Sequence, residues 1–321
     1  GDVYKRQSSG RPVNVNSLAA IFAKGFLAGL VVCFALATVY LLSVRTVRKE
    51  SDMKRITSAR CISCIPEVVP KKRSNNKKLK LLITNKRIDW GFKQSMLMIQ
   101  SRLQQIMRRT GDKVLLITST IPAEGKTMTS VNMALAFAQE GMKVALLDGD
   151  LRKPSVSELM KLPEGPGLTE YFRGESTPEE IQVVKDGVTF FRAGQKKGKV
   201  SGLIDEEKMN SLLEKLRKEY DVILMDAAPS YVFSDAMILS SYADKVLYVV
   251  GVDKADAKEI RVGMNSFEEK EKLIGYVINR DTGGYISQSG YGYGYGRYGK
   301  YQKYRKYAEL DEETMNTEDT L

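Results

Sequence analysis

Between Val114 and Gly141 the chain offers a short apolar run (Val114 to Thr118) and the loop Ser119-Thr120-Ile121-Pro122-Ala123-Glu124-Gly125-Lys126-Thr127. A helical stretch from Lys126 to Glu140 follows, closed by Gly141. A strand that turns on a glycine into a helix aims the helix's free N–H groups and the positive end of its dipole at one point, which suits a phosphate. In that geometry Ala123, Glu124, Gly125, Lys126, Thr127 and Met128 supply the cradle. Lys126 reaches the β- and γ-phosphates and Thr127 offers its hydroxyl to Mg²⁺. Thr120 stands where the usual pattern has its first glycine.

A second apolar run begins at Val144 and ends Leu147-Asp148-Gly149-Asp150-Leu151-Arg152, and a third begins at Val222 and ends Met225-Asp226-Ala227-Ala228-Pro229. Carboxylates leaving buried strands are costly unless they face a cation. A magnesium nucleotide supplies one; a helix N-cap role suits one of the three but hardly all of them. Further strands are expected at Val188–Phe191, Val246–Val250 and Ile274–Ile278, with a helix over Glu206–Arg217. Phe92, Met96, Ile99, Leu103 and Ile106 mark an amphipathic helix ahead of the first strand. The alternation predicts an α/β fold with a mostly parallel, doubly wound sheet, whose ligands sit at the C-terminal strand ends. Asn279, closing the last strand, is either an adenine contact or an ordinary turn residue.

Phe26 to Val44 contains 19 residues without a charge, about 28 Å as a helix and enough to cross a bilayer. Lys24 lies inside the longer run from Leu18, where its stem can snorkel. Six basic residues follow (Arg45, Arg48, Lys49, Lys54, Arg55, Arg60) against four upstream (Lys5, Arg6, Arg11, Lys24), which places the C-terminal bulk in the cytoplasm of a single-pass protein. Residues 1–80 hold 16 of the 50 basic and 4 of the 39 acidic residues, so the net charge of +11 is N-terminal and fits anionic lipid better than nucleic acid. Cys61 and Cys64 alone fall short of a zinc site, and the chain has no His.

Tyr285, Tyr291, Tyr293, Tyr295, Tyr298, Tyr301, Tyr304 and Tyr307 are half of the chain's 16 tyrosines. Alternation with glycine holds neither a helix nor a buried face, so a disordered tail is expected. Each phosphate adds about −1.5 to −2, so a few would reverse the sign of a segment carrying Arg297, Lys300, Lys303, Arg305 and Lys306.

The Gly-Lys-Thr loop, the Asp-x-Asp-x-Arg and Asp-Ala-Ala-Pro strand ends and the tyrosine tail together resemble the BY-kinases, the bacterial tyrosine kinases of capsule and exopolysaccharide export. The likeness runs from about Lys80 to Tyr307 and includes Pro166-Gly167-Leu168 and Ser234-Asp235-Ala236. It implies a P-loop domain that binds ATP and Mg²⁺, with Lys126 and Thr127 on phosphate and metal and Asp150 and Asp226 organising the metal. Asp148 is then the base toward tyrosine, though Asp148 and Asp150 are able to exchange roles. It also implies autophosphorylation of the eight tail tyrosines in trans within a homo-oligomer at the bacterial cell membrane, and partnership with the polysaccharide polymerisation and export machinery and a cognate phosphatase. The family's Glu-x-x-Arg-x-x-Arg oligomerisation motif aligns with Trp90, Lys93 and Met96, which keep little of its charge. The expected organisation is a flank at 1–17, a transmembrane helix at 18–44, a basic juxtamembrane linker at 45–84, a kinase domain at 85–282 and a phosphoacceptor tail at 283–321. The competing readings are a Min- or Par-like membrane ATPase switch, against which the absence of a lysine between Ser119 and Glu124 speaks, and an inactive chain-length scaffold, against which the intact Lys126, Thr127 and three Asp residues speak.

Overall fold

A computed structural model describes residues 18–43, 46–68, 81–195 and 202–282. The chain divides into two units, 1–45 and 46–321. In the first, α1 (Leu18–Ser43) contains a window, Ala20–Val39, of mean hydropathy 2.2, which is long and apolar enough to cross a membrane.

In the second unit α2 (Glu50–Met53) and β1 (Cys61–Pro66) precede α3 (Trp90–Thr110), β2 (Val114–Ser119), α4 (Lys126–Gln139) and β3 (Val144–Asp148). Next come α5 (Val156–Met160), α6 (Leu168–Arg173), β4 (Gln182–Lys185), β5 (Val188–Phe191), α7 (Glu206–Glu219) and β6 (Val222–Asp226). The last described elements are α8 (Asp235–Tyr242), β7 (Lys245–Gly251), α9 (Ala257–Glu268) and β8 (Leu273–Asp281). The eight strands form one sheet in the order β1-β8-β7-β2-β6-β3-β5-β4, parallel except where β4 meets β5. Helices cover both faces. Phe92, Met96, Ile99 and Leu103 of α3 pack with Val131 and Phe137 of α4 on one side, and Leu212 and Leu216 of α7 with Ile260 and Phe267 of α9 on the other. All six strands expected from sequence are present, because strands buried on both faces read as unbroken apolar runs.

The expected linker at 45–84 is corrected. Its residues Cys61–Pro66 are a sheet strand, parallel to β8, with Ile62 and Ile65 fully buried. A register shift between Cys61 and Ser63 breaks the alternation that would have revealed it, and Pro66 is tolerated because this is an edge. Cys64 is simply buried against the core. Upstream, Val47 and Met53 are buried, and Asp253 accepts from the Thr46 hydroxyl (2.7 Å) and Arg48 Nε (2.8 Å). Downstream, Ile83 is buried and its N–H donates to Asn132 Oδ1 at 2.8 Å. The short edge strand β4, with Val184 largely exposed, was not expected either.

Candidate nucleotide site

The ends of β2, β6 and β3 lie side by side, with Ile117 opposite Asp226 and Asp226 opposite Asp148. The phosphate loop therefore rises directly beside both carboxylate motifs. Its turn needs positive φ at Ala123 (67°) and Gly125 (100°), and Gly125 caps α4. Gly125 is also packed so closely on Asn279 that a Cβ there would run into the Asn279 amide. We expect Gly125→Ala to weaken nucleotide binding by about tenfold or more, since such backbone strain costs of order 1–3 kcal/mol before the clash is counted. Titration of the variant with a fluorescent ATP analogue checks this; an unchanged dissociation constant contradicts it.

Lys126 Nζ lies 2.8 Å from Asp150 Oδ2 and 3.4 Å from Asp226 Oδ2. The Thr127 hydroxyl donates to Asp226 Oδ2 (2.6 Å), and Ser130 Oγ donates to Asp226 Oδ1 (2.9 Å). Asp150 Oδ1 accepts from Lys153 N–H, and Asp148 Oδ2 accepts from Val156 N–H at 3.2 Å. Asp148 Oδ1 is buried without a partner among the described residues. Burial, reinforced by Asp226, pushes the Asp148 carboxyl well above the ordinary range, and burial also raises Asp226. For Lys126, burial alone would favour the neutral amine, but Asp226 and Asp150 outweigh it and raise the ammonium's pKa. A threonine hydroxyl beside two carboxylates is the donor set Mg²⁺ takes from protein when substrate phosphates and water complete its octahedron. No protein-only cluster of three or more His, Cys, Asp or Glu ligands occurs among the described residues.

The loop is held from within. Glu124, expected only as part of the cradle, turns its carboxylate inward, where Oε2 accepts from Ile121 N–H (2.8 Å) and Oε1 from Gly251 N–H (3.0 Å). Asn279 Nδ2 donates to Glu124 O at 2.7 Å and its Oδ1 accepts from Arg280 N–H, so both ends of this amide are engaged by protein. Met128, in the first turn of α4, is half-buried. Thr120, in the missing glycine's place, is buried and accepts from the Tyr248 hydroxyl at 3.2 Å. Burial pushes the Glu124 carboxyl up to about 7. Because this folded value exceeds the ordinary 4.5, its stabilisation is complete below 4.5 and is lost as pH rises through about 7, on the order of 3 kcal/mol in all. Thermal melts should therefore show wild type losing stability between pH 5 and pH 8 more steeply than Glu124→Gln, which has no proton to lose; parallel curves would contradict this.

Sequence reasoning missed Ser130, whose only signal is its place one turn after Lys126 on the same helix face. It named Arg152 and Asp235 within their motifs but gave neither a role: Arg152 holds Asp235 through Nε (2.5 Å) and Nη2 (3.0 Å) and lies 4.6 Å over the Phe233 ring. Met96, aligned with the oligomerisation motif, is fully buried in the core and presents nothing to a partner. The eight tail tyrosines lie outside the described residues.

Comparison with known proteins agrees with this geometry. Residues 111–252 match the family model ParA, described as an NUBPL iron-transfer P-loop NTPase. The chain is 33% identical over 204 residues to the tyrosine-protein kinase CpsD of Streptococcus pneumoniae, covering 59% of this chain and 86% of that one. It is 32% identical over 182 residues to the tyrosine-protein kinase YwqD of Bacillus subtilis (strain 168), covering 56% and 77%. The tyrosine-protein kinase etk of Escherichia coli (strain K12) is 28% identical over 194 residues, which are 58% of this chain and only 27% of that longer one. Among solved structures, the kinase domain of Escherichia coli tyrosine kinase ETK superposes with a TM-score of 0.63 at 26% identity, covering 74% of this chain and 95% of that one.

Proposed function

The chain belongs to the bacterial tyrosine-protein kinases, and from that premise we propose that it is a membrane-anchored kinase transferring the γ-phosphate of ATP to tyrosines of a second copy of itself. The observation that carries this reading is the convergence of Lys126, Thr127, Asp150 and Asp226 at one strand-end cleft beside the unpartnered carboxyl oxygen of Asp148.

In this reading the α4 N-terminus and the loop bind the phosphates, and Lys126 swings from its carboxylates to the β- and γ-phosphate oxygens. Thr127, Asp226 and Asp150 would hold Mg²⁺, which when bound would neutralise charge on the transferring group. Asp148 accepts the phenol proton at its free oxygen, the one oxygen of the three carboxyls that no neighbour among the described residues engages. Positioning and charge neutralisation supply most of the acceleration, since the transition state is loose. The acceptors are the tail tyrosines from Tyr285 to Tyr307. The apolar helix α1 anchors the chain with the kinase unit in the cytoplasm, where the basic flank meets anionic lipid, and the reaction regulates capsule or exopolysaccharide assembly in concert with its export machinery and a phosphatase. What supports the last step is the likeness to CpsD and its relatives.

The P-loop NTPase model over 111–252 favours a second reading, an ATPase switch transferring phosphate to water. One experiment separates them. The full chain, in detergent with Mg-ATP, is mapped for phosphotyrosine by mass spectrometry while released phosphate is measured. Modified tail tyrosines are the expected result, and phosphate release with an unmodified tail would leave the switch.

A further inference from the structure

Six tyrosines are described in the 46–321 unit, and they differ sharply in access. Tyr171, Tyr248 and Tyr276 are buried, Tyr220 and Tyr242 are half-buried, and Tyr231 alone is exposed, at 45%. Its hydroxyl has no hydrogen-bond partner among the described residues, whereas the Tyr248 hydroxyl bonds Ser230 and Thr120 and the Tyr171 hydroxyl donates to Lys208 O. Tyr231 also sits beside the nucleotide site, its N–H donating to Thr120 O at the head of the phosphate loop. It lies five residues beyond Asp226, in the loop that leaves the end of β6.

That loop is fixed at both ends. On one side Ser230 N–H donates to Ser119 O (2.8 Å) and Tyr231 N–H to Thr120 O (3.3 Å), at the head of the phosphate loop. The Ser230 hydroxyl adds bonds to Gly263 O (3.1 Å) and the Tyr248 hydroxyl (2.9 Å). On the other side Arg152 clasps Asp235 and covers the Phe233 ring, so the loop is tied to the segment following Asp150. Between these anchors Tyr231 and Val232, 46% exposed, stand out into solvent. An apolar pair held outward by satisfied neighbours does not come from a loose loop; it is a presented surface. With its backbone pinned to its own phosphate loop and its ring exposed, this phenol is accessible to a second molecule.

We propose that Tyr231 is a phosphoacceptor site, modified in trans by a second copy of this chain. The proposal rests on the kinase reading above and extends it from the tail to the rim of the site itself. In the step, the Tyr231 oxygen forms a bond to the γ-phosphorus of ATP held by the other copy as the bond from that phosphorus to the β,γ-bridging oxygen breaks. ADP leaves with the electron pair, and the phenol proton passes to Asp148 of the catalysing copy. The product places about −1.5 to −2 of charge on the loop that joins the three nucleotide motifs.

The test mixes full-length wild type with a differently tagged Lys126→Met acceptor under Mg-ATP, re-isolates the acceptor and maps its phosphopeptides. An Asp150→Asn acceptor is run in parallel, because Lys126→Met leaves buried carboxylates without their cation and lowers the folded fraction. The expected result is a phosphorylated peptide containing Tyr231 in either acceptor, absent when wild type is omitted and lost when the acceptor also carries Tyr231→Phe. Phosphate on tail tyrosines without Tyr231 overturns the proposal and leaves the kinase reading standing. Tyr231 phosphate confined to the wild-type copies overturns transfer in trans. No phosphotyrosine on any copy removes the kinase reading and this site together.

Discussion

A fragment of this chain starting at residue 85 is expected to show no cooperative unfolding transition, whereas one starting at Thr46 unfolds cooperatively. The cut at 85 is the one sequence patterning recommends, and it removes Met53, Ile62 and Ile65, all fully buried, along with Val47, Cys64 and Ile83. Full burial of one such side chain contributes roughly 1.5–3 kcal/mol, so the first three alone supply about 5–9 kcal/mol. The whole stability of a domain is about 5–15 kcal/mol. The truncation also strips the parallel partner from β8, exposing the strand that carries Asn279, the residue that donates to the phosphate loop at Glu124. Urea denaturation followed by far-UV circular dichroism compares fragments 46–282 and 85–282. Equal midpoints would show that β1 merely decorates the sheet.

That misplaced boundary marks where sequence stops being legible. The central strands β2, β3, β6, β7 and β8 announce themselves because both their faces are buried and their apolar runs are unbroken. β1 is short, bulged and set in a basic stretch, and β4 keeps Val184 in solvent, so neither leaves a periodic trace. The strand order, which puts the first and last strands next to each other, has no local signature at all.

The site divides the same way. Lys126 and Thr127 were readable from a strand that turns on a glycine into a helix, and Asp148, Asp150 and Asp226 because a carboxylate leaving a buried apolar strand must be compensated by a cation or a hydrogen bond. The clamp that shapes their loop was not readable, since Glu124 bonds Gly251 across 127 positions and its meaning exists only once β7 lies beside β2. Arg152 and Asp235 meet across 83 positions for the same reason. Chemistry that depends on residue type was legible, and chemistry that depends on long-range closure was not.

Replacing Lys126 tests the centre of the site in two ways at once. Lys126→Met should lower phosphoryl transfer by at least about 10²–10³-fold, the loss expected from one preorganised charge donor. It should also destabilise the fold in a pH-dependent way. Lys126 is the cation facing Asp150 and Asp226, which are almost or entirely buried, and stranding a buried charge costs roughly 3–5 kcal/mol. Asp226 and Asp148 are able to relieve that cost by taking up protons, because burial has already raised both. A carboxyl whose folded pKa is raised stabilises the fold below its unfolded pKa and loses that contribution as pH climbs through the folded value. Removing the ammonium raises those folded values further and widens the window. The melting temperature of Lys126→Met should therefore fall below wild type by more at pH 8 than at pH 5. Lys126→Arg separates the two roles: a guanidinium restores the charge and most of the stability, but its planar fork does not reproduce the point contact of an ammonium with the β- and γ-phosphates, so transfer stays low. A deficit independent of pH, or full transfer by either variant, would mean that Lys126 is a structural counter-ion and that phosphate is held elsewhere.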